Sequence, residues 1–501
     1  MGVAHRSLLE RGVVAAEQGR VTEGLALIRD AIAQDPADAE AHAQFGRWLS
    51  RLHRHAEAEA AAERALALAP REARTHDTVG VVLSRCGRHE RAVASFERAV
   101  ALDPGNAGFQ FNLASSLKFL GSFDAAEAAY EACLAADPRH WRAHSAVSQL
   151  RRQTPQRNHL VRLQGLLDAG DLAVDAELHL RHALAKELED LERFDEAFAQ
   201  LVAGRSRKRA ASGYEFARDA ELFDTVVRIF PRPLSPDTAE PATSPIFVVG
   251  LPRTGTTLVE RILTSHSRVA SAGESQNFPV LVKRAAGTRA PTVLDPETLV
   301  RALDADLAAV GHEYLQRTRP PGDRPRFVDK LPLNFFYLGH LARALPGARV
   351  VVLRRDPLDT VVANFRQLFA TSMPYYQYAY DLRDIARYWL AFDALIAHWR
   401  RVLPGRLHEV AYEALVADPE PSLARLLEHC GLDWEPGCLA FDRAPGAVAT
   451  ASAVQVRQPL YTSSVGRWRR YAAQLAPAIE VLHEAGKDVG GPCAMQSAPG
   501  D

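Results

Sequence analysis

The stretch from Pro245 to His266 reads PIFVVGLPRTGTTLVERILTSH. Ile246 to Val249 is a short run of β-branched and aromatic residues closed by Gly250, the pattern of a strand buried on both faces. Leu258, Ile262 and Leu263 then recur at helical spacing within Thr256 to Thr264. The loop between them is rich in glycine and threonine. A strand, a tight loop and a helix in that order gather backbone N–H groups and a helix N-terminus around one point, which makes an anion site. Gly250 and Gly255 have the spacing of the phosphate-loop pattern GxxxxGK[ST], but Thr256 stands where that pattern has lysine. Kinases and ATPases use that lysine to neutralise charge on the β/γ-phosphates. The loop can therefore cradle a phosphate yet is badly equipped for γ-phosphoryl transfer, and its cation is Arg253 instead. A tight strand–helix turn with no ligand is the plainer reading of the same residues.

Working outward, a short strand is predicted over Arg268 to Ala272 and leads to Glu274. The strand-like RFVDK ends at Lys330, with a helix predicted from near Pro332. Ala348 to Leu353 (ARVVVL) reads as a second buried strand, followed by Arg354, Arg355, Asp356 and Pro357 and a helix from about Leu358 to Phe369. Val410 to Glu413 begin another strand-to-helix passage. Strands alternating with helices predict an α/β domain with a parallel sheet. Read alone, Glu274 is a solvated loop residue and Lys330 a surface lysine at a helix start. Only six lysines occur among 60 cations, which draws attention to Lys330.

Upstream the pattern changes. Pro36, Pro70, Pro104 and Pro138 recur every 34 residues, small residues (Gly46, Gly80, Ala114 and Ala58, Ala92, Ala126) hold fixed offsets before them, and Gly87 and Gly121 supply turns. This period resembles the tetratricopeptide repeat, about four copies of which cover residues 5–150. A repeat-like pair runs from Leu180 to Leu201, and a Pro-rich, non-periodic stretch between Phe230 and Ser244 reads as a linker. The expected domains are a repeat array (1–150), a helical extension with the linker (151–240), an α/β domain (241–480) and a disordered tail (481–501).

Composition bounds the partners. An apolar fraction of 47%, a charged fraction of 24% and a net charge of −1 describe a globular protein without a basic field for nucleic acid. Five scattered cysteines without CxxC spacing argue against a zinc site or a disulfide framework. No apolar run is long enough to span a bilayer, so a cytoplasmic location is expected.

The Pro-Arg-Thr-Gly-Thr-Thr-Leu loop resembles the 5′-phosphosulfate loop of sulfotransferases, and the repeat-plus-catalytic order resembles bacterial tetratricopeptide-repeat sulfotransferases near the tyrosylprotein branch. The resemblance implies a multidomain fold: an all-α solenoid followed by a P-loop-like α/β sulfotransferase domain. It implies the donor PAPS, released as PAP, bound by Arg253, Thr254, Gly255, Thr256, Thr257 and Leu258. By the same resemblance Arg355 holds the 3′-phosphate, Tyr412 packs near adenine and Arg467 is a cation near the donor. Glu274 would be the catalytic base, Lys330 the catalytic lysine and Ser452 a serine near the sulfonate. Trp468 reads as core. The family's usual 3′-phosphate serine is here Ala363, with Asn364, Arg366 and Gln367 as neighbours able to compensate. No metal is implied.

The expected activity is sulfonate transfer from PAPS to a hydroxyl acceptor. A peptide or protein tyrosine is favoured, with carbohydrate, lipid and small-molecule hydroxyls left open. The repeat array is expected to bind a protein or to self-associate. Two alternatives stand beside this: a kinase-like phosphotransferase, with Asp356 mimicking a Walker B acid, and a non-catalytic repeat scaffold with a degenerate nucleotide-binding domain.

Overall fold

The computed structural model describes residues 2–52, 54–68, 70–234, 244–371, 373–443 and 464–489. The described chain divides into two compact units, the first ending at Asp168 and the second beginning at Ala169.

The first unit is a stack of antiparallel helix pairs: Gly2–Glu17 with Val21–Gln34, Ala39–Arg51 with His55–Ala67, Ala73–Arg85 with His89–Leu102, and Ala107–Leu120 with Phe123–Ala136. Helices Trp141–Ser148 and Leu160–Asp168 follow. Each second helix ends two or three residues before Pro36, Pro70, Pro104 or Pro138, because proline neither donates to the ladder nor fits the helix interior. Ala58, Ala92 and Ala126 are fully buried where the paired helices meet. A second periodic device sits at positions 42, 76, 110 and 144. There His42, His76, Gln110 and His144 each place Nε2 against the carbonyl of the proline six residues earlier, at 2.9–3.2 Å. This bond fastens the start of each repeat to the turn that precedes it.

The second unit is built on a five-stranded parallel sheet of order β2-β3-β1-β4-β5. The strands are β1 (Ile246–Gly250), β2 (Val269–Ser271), β3 (Arg326–Asp329), β4 (Arg349–Arg354) and β5 (Leu407–Ala411). Every residue of β1 and β3 is buried, as expected of a sheet covered on both faces. β1 lies between β3 and β4, with Phe247 opposite Asp329 and Gly250 opposite Leu353. The segment after Lys330 differs in detail from the predicted helix. Pro332–Tyr337 is a 3-10 turn, and the α-helix starts at Leu338. The helix after β4 runs Pro357–Arg366 and stops short of Phe369, because Gln367 is already extended.

Residues 169–230 cluster by contact with the sheet unit, whereas the sequence reading sets 151–240 apart as an extension. Their apolar faces explain this. Phe223 packs against Phe335, Phe336 and Tyr388, and Phe230 against His340 and Trp399. The hairpin Val174–Asp190 and Phe194–Ser212 adds polar ties, with Arg209 Nη2 2.7 Å from Asp384 and Arg205 Nη2 donating to the Gln367 carbonyl at 3.2 Å. Helix Ala476–Glu484 carries the fully buried Leu482 into the stretch read as tail from 481. Residues 235–243, which hold most of the expected linker, and 490–501 lie outside the described residues.

Candidate active site

The C-terminal ends of β3, β1 and β4 lie side by side, so the loops that leave them share one rim. From β1 the chain turns through Leu251–Thr254, where Thr254 Oγ1 donates to the Leu251 carbonyl at 2.7 Å. Arg253 adopts a positive φ of 66°, and Gly255 has φ 107° at the start of helix Thr256–Thr264. No side chain caps that helix. Its first amides have no intrahelical acceptor, which leaves them directed at whatever occupies the loop. Gly255 is required on two counts. Its φ belongs to the left-handed region, and a Cβ there would stand 2.7 Å from Cδ2 of Tyr412. Tyr412, the first residue of the helix after β5, thus forms one wall of the loop, and its hydroxyl lies 2.6 Å from Ser464 Oγ.

Arg355 follows β4 and lies on the same side of the loop as Tyr412. Its Nη1 donates to the Arg253 carbonyl at 2.9 Å and Nη2 to the Ser464 carbonyl at 2.6 Å, while the guanidinium sits 4.8 Å over the Tyr412 ring. Nε of Arg355 is buried without a hydrogen-bond partner. Asp359, one turn further, accepts from the amides of Gly466 (2.7 Å) and Trp468 (3.0 Å) and so pins the C-terminal segment to this rim. Asp356 is not aimed at the loop. It caps its own helix through Asp359 N at 2.8 Å, and burial pushes its carboxyl up to about 6. A Walker B role is therefore not what its geometry serves.

On the β3 side, the Lys330 ammonium donates to Glu274 Oε1 and lies 3.7 Å from Glu260 Oε2. Lys330 is fully buried, whereas the Glu274 side chain is 46% exposed and can face an incoming molecule. Glu260, on the loop helix, accepts from Ser271 Oγ at 2.7 Å. Behind Lys330, Asp329 accepts from the Tyr314 hydroxyl at 2.7 Å. Burial chiefly, with Glu260 and Glu274 adding, pushes its carboxyl up to about 8. Tyr376, stacked on Phe369 at 4.5 Å, feels the Glu274 charge, and burial pushes its phenol upward.

Arg253, Thr254, Gly255, Thr256, Thr257, Leu258, Arg355 and Tyr412 thus gather around one loop, and Glu274 and Lys330 form a pair at the neighbouring strand end. Arg467 turns to a different cluster, 3.5 Å from Glu189, where burial pushes its guanidinium down to about 10. Ser452 lies outside the described residues. Each neighbour of Ala363 already has work. Asn364 Nδ2 bonds the Pro252 and Thr360 carbonyls, Arg366 pairs with Glu189, and Gln367 Nε2 donates to the Leu368 carbonyl. The sequence reading missed Glu260 and Asp359, although each was within reach. Glu260 is one turn after Thr256 on the loop helix, and Asp359 is one turn after Arg355.

These features define an α/β domain with a glycine- and threonine-rich loop after its first strand, and with a lysine–carboxylate pair and an arginine at the ends of the two adjacent strands. Residues 245–436 match the sulfotransferase family, and residues 2–39, 43–107 and 87–150 match tetratricopeptide repeats, so the chain joins repeats of that kind to a sulfotransferase-family domain. An uncharacterized protein of Aquifex aeolicus is 33% identical over 347 residues, which cover 66% of this chain and 44% of that protein. The chain thus spans less than half of that relative's length. A putative protein-tyrosine sulfotransferase of Caenorhabditis briggsae is 25% identical over 256 residues, covering 47% of this chain and 88% of its own. Among solved structures, the sulfotransferase domain of the Synechococcus PCC 7002 olefin synthase aligns over 52% of this chain and 100% of its own, at 20% identity and a TM-score of 0.35.

Proposed function

We propose that the second unit transfers a sulfonate group from PAPS to a hydroxyl acceptor, with a peptide or protein tyrosine as the favoured acceptor. The observation that carries this is the placement of Lys330 and Glu274 as a contacting pair beside a phosphate loop that has threonine where a kinase has lysine. The family match and the relatives named protein-tyrosine sulfotransferase support it.

In this reading the uncapped amides after Gly255, with Thr256, Thr257 and Arg253, hold the donor's 5′-phosphate. The unpartnered Nε of Arg355 and the Tyr412 ring fit the remainder of an adenine nucleotide. Glu274 takes the acceptor's proton as its oxygen forms a bond to sulfur. The bond from sulfur to the 5′-phosphate oxygen breaks with its electron pair leaving on PAP, and Lys330 counters the charge developing on the sulfonate and the departing oxygen. The repeat array is read as a protein-binding or self-association surface. Among the described residues no helix is long and apolar enough to cross a membrane.

The test is twofold. Calorimetry should detect PAP binding and no ATP binding of similar strength. Incubation with radiolabelled PAPS and a lysate should label an acceptor, and Glu274→Gln should abolish that labelling while leaving PAP affinity nearly intact. Absence of PAP affinity, or wild-type turnover in Glu274→Gln, refutes the assignment.

A further inference from the structure

Lys330 is held by more than the pair just described. A closed circuit of contacts runs through it. Its backbone N donates to the Gly273 carbonyl at 2.9 Å, Gly273 N donates to Ser271 Oγ at 3.0 Å, and Ser271 Oγ donates to Glu260 Oε1 at 2.7 Å. Glu260 Oε2 then returns to the Lys330 ammonium at 3.7 Å. The circuit joins three elements: the loop helix Thr256–Thr264, the end of β2 and the end of β3. The two carboxylates that share the ammonium differ in setting. The side chain of Glu260 is 10% exposed and anchored by a hydroxyl, whereas that of Glu274 is 46% exposed on a loop.

A base that is also the sole counter-ion of the transferring lysine would have to abandon it in order to work. A buried lysine left without a carboxylate pays the desolvation of its charge and loses its fixed place. A second carboxylate on the rigid loop helix removes that conflict. We propose that Glu260 is a positioning residue: it keeps the Lys330 ammonium against the phosphate-loop helix while Glu274 turns to the acceptor hydroxyl. Glu260 touches no reacting atom and acts only through Lys330. The inference rests on the sulfotransferase reading above, since it assigns Lys330 to the sulfonate and Glu274 to the acceptor.

The test is Glu260→Gln in the full chain. This change keeps an acceptor for Ser271 Oγ and removes only the charge. Turnover of labelled PAPS is scored as transfer to a tyrosyl peptide plus release to water, so that it reads the step with or without the preferred acceptor. Turnover is expected to fall about tenfold or more, less than the ~10²–10³ for deleting a direct transition-state donor, while PAP affinity by calorimetry stays within about twofold. A spectroscopic readout stands beside these. With only six lysines in the chain, ¹⁵N-lysine labelling isolates the Lys330 ammonium signal, identified by its loss in Lys330→Arg. That signal should shift or broaden in Glu260→Gln while the other five hold.

Unchanged turnover overturns the proposal whatever the spectrum shows, as does an undisturbed Lys330 signal. Loss of PAP affinity in step with turnover also overturns it, because Glu260 would then merely support the loop. A wild-type chain that fails to bind PAP sinks the parent reading and this one with it. A wild-type chain that binds and turns over, beside an indifferent Glu260→Gln, sinks this one alone.

Discussion

Arg366→Ala tests what joins residues 169–230 to the sheet unit. Glu189, on helix Val174–Asp190, is 5% exposed, and Arg366 grips its carboxylate through both Nε and Nη2 from the far end of helix Pro357–Arg366. The Tyr471 hydroxyl also donates to it, and Arg467 lies 3.5 Å away. Burial pushes the Glu189 carboxyl up, but the Arg366 charge and hydrogen bonds, with Arg467 and Tyr471, outweigh it and hold the group below the usual carboxylate range. Removing one partner of a buried ion pair costs about 3–5 kcal/mol. Two groups, Tyr471 and Arg467, still face the carboxylate, and the Arg366 side chain is 22% exposed, which reduces the cost to about 2–3 kcal/mol. For a unit of this size each kcal/mol moves the melting temperature by roughly 2 °C, so differential scanning calorimetry of the full chain should show a drop of about 4–6 °C. Because the depressed carboxyl stabilises only when ionised, the gap between wild type and variant should be full at pH 7 and shrink as pH falls below about 4. Pairing Arg366→Met with Glu189→Gln removes both charges and should recover part of the loss. A drop under about 1 °C, or a double variant as unstable as the summed singles, would show that the cluster does not join the two parts.

Three further outcomes follow from single contacts. Gly255→Ala forces a side chain into φ 107° and against Tyr412, so PAP affinity should fall about tenfold or more by calorimetry, and an unchanged affinity would separate this loop from the donor. Asp329 has its carboxyl raised to about 8, so in the wild type folding stability declines as pH climbs from about 4 to about 8 and is level above that. Asp329→Asn keeps the oxygen that accepts from Tyr314. Its melting temperature should therefore gain on the wild type across that window, and a pH-independent difference would contradict the assignment. In the repeats, a Cβ on Gly80 would lie 2.5 Å from Phe96, so Gly80→Val should destabilise the array by about 1–3 kcal/mol in thermal unfolding, with Phe96→Leu relieving part of it.

The features legible in the sequence were those that one element carries alone. β1 and the helix after it read correctly because an apolar run, two glycines and a helical period lie within about twenty consecutive residues. The repeats read correctly because proline and small residues recur in phase. The features that stayed hidden are pairings between distant residues. Helix Val174–Asp190 has repeat-like small residues at the right spacing, yet Glu189 meets Arg366 and Tyr471, 177 and 282 positions away. Spacing within one helix cannot reveal such a partner. The polar link at His42, His76, Gln110 and His144 is periodic and therefore legible, but it falls on histidine and glutamine and not on the glycine, alanine and proline that mark the repeat.

The missing phosphate-loop lysine also has a topological answer. In a P-loop kinase or ATPase the lysine that meets the phosphates belongs to the loop itself. Here β1 is bracketed by β3 and β4, and chain connection reverses direction across it, since β2 and β3 lie to one side and β4 and β5 to the other. Ligands of open α/β sheets bind at such a reversal. Lys330 leaves the end of β3 and lies against Glu260 of the loop helix, and Arg355 leaves the end of β4 and bonds the Arg253 carbonyl, although neither lies within seventy residues of the loop in sequence. On the proposed reading, Thr256 is then a small residue that lets the helix N-terminus approach the donor's phosphate closely, with the charge supplied from the flanks. A cation on a flank can also be paired with a carboxylate on the next loop, and that pairing places the Glu274 carboxylate beside Lys330 at the mouth of the site.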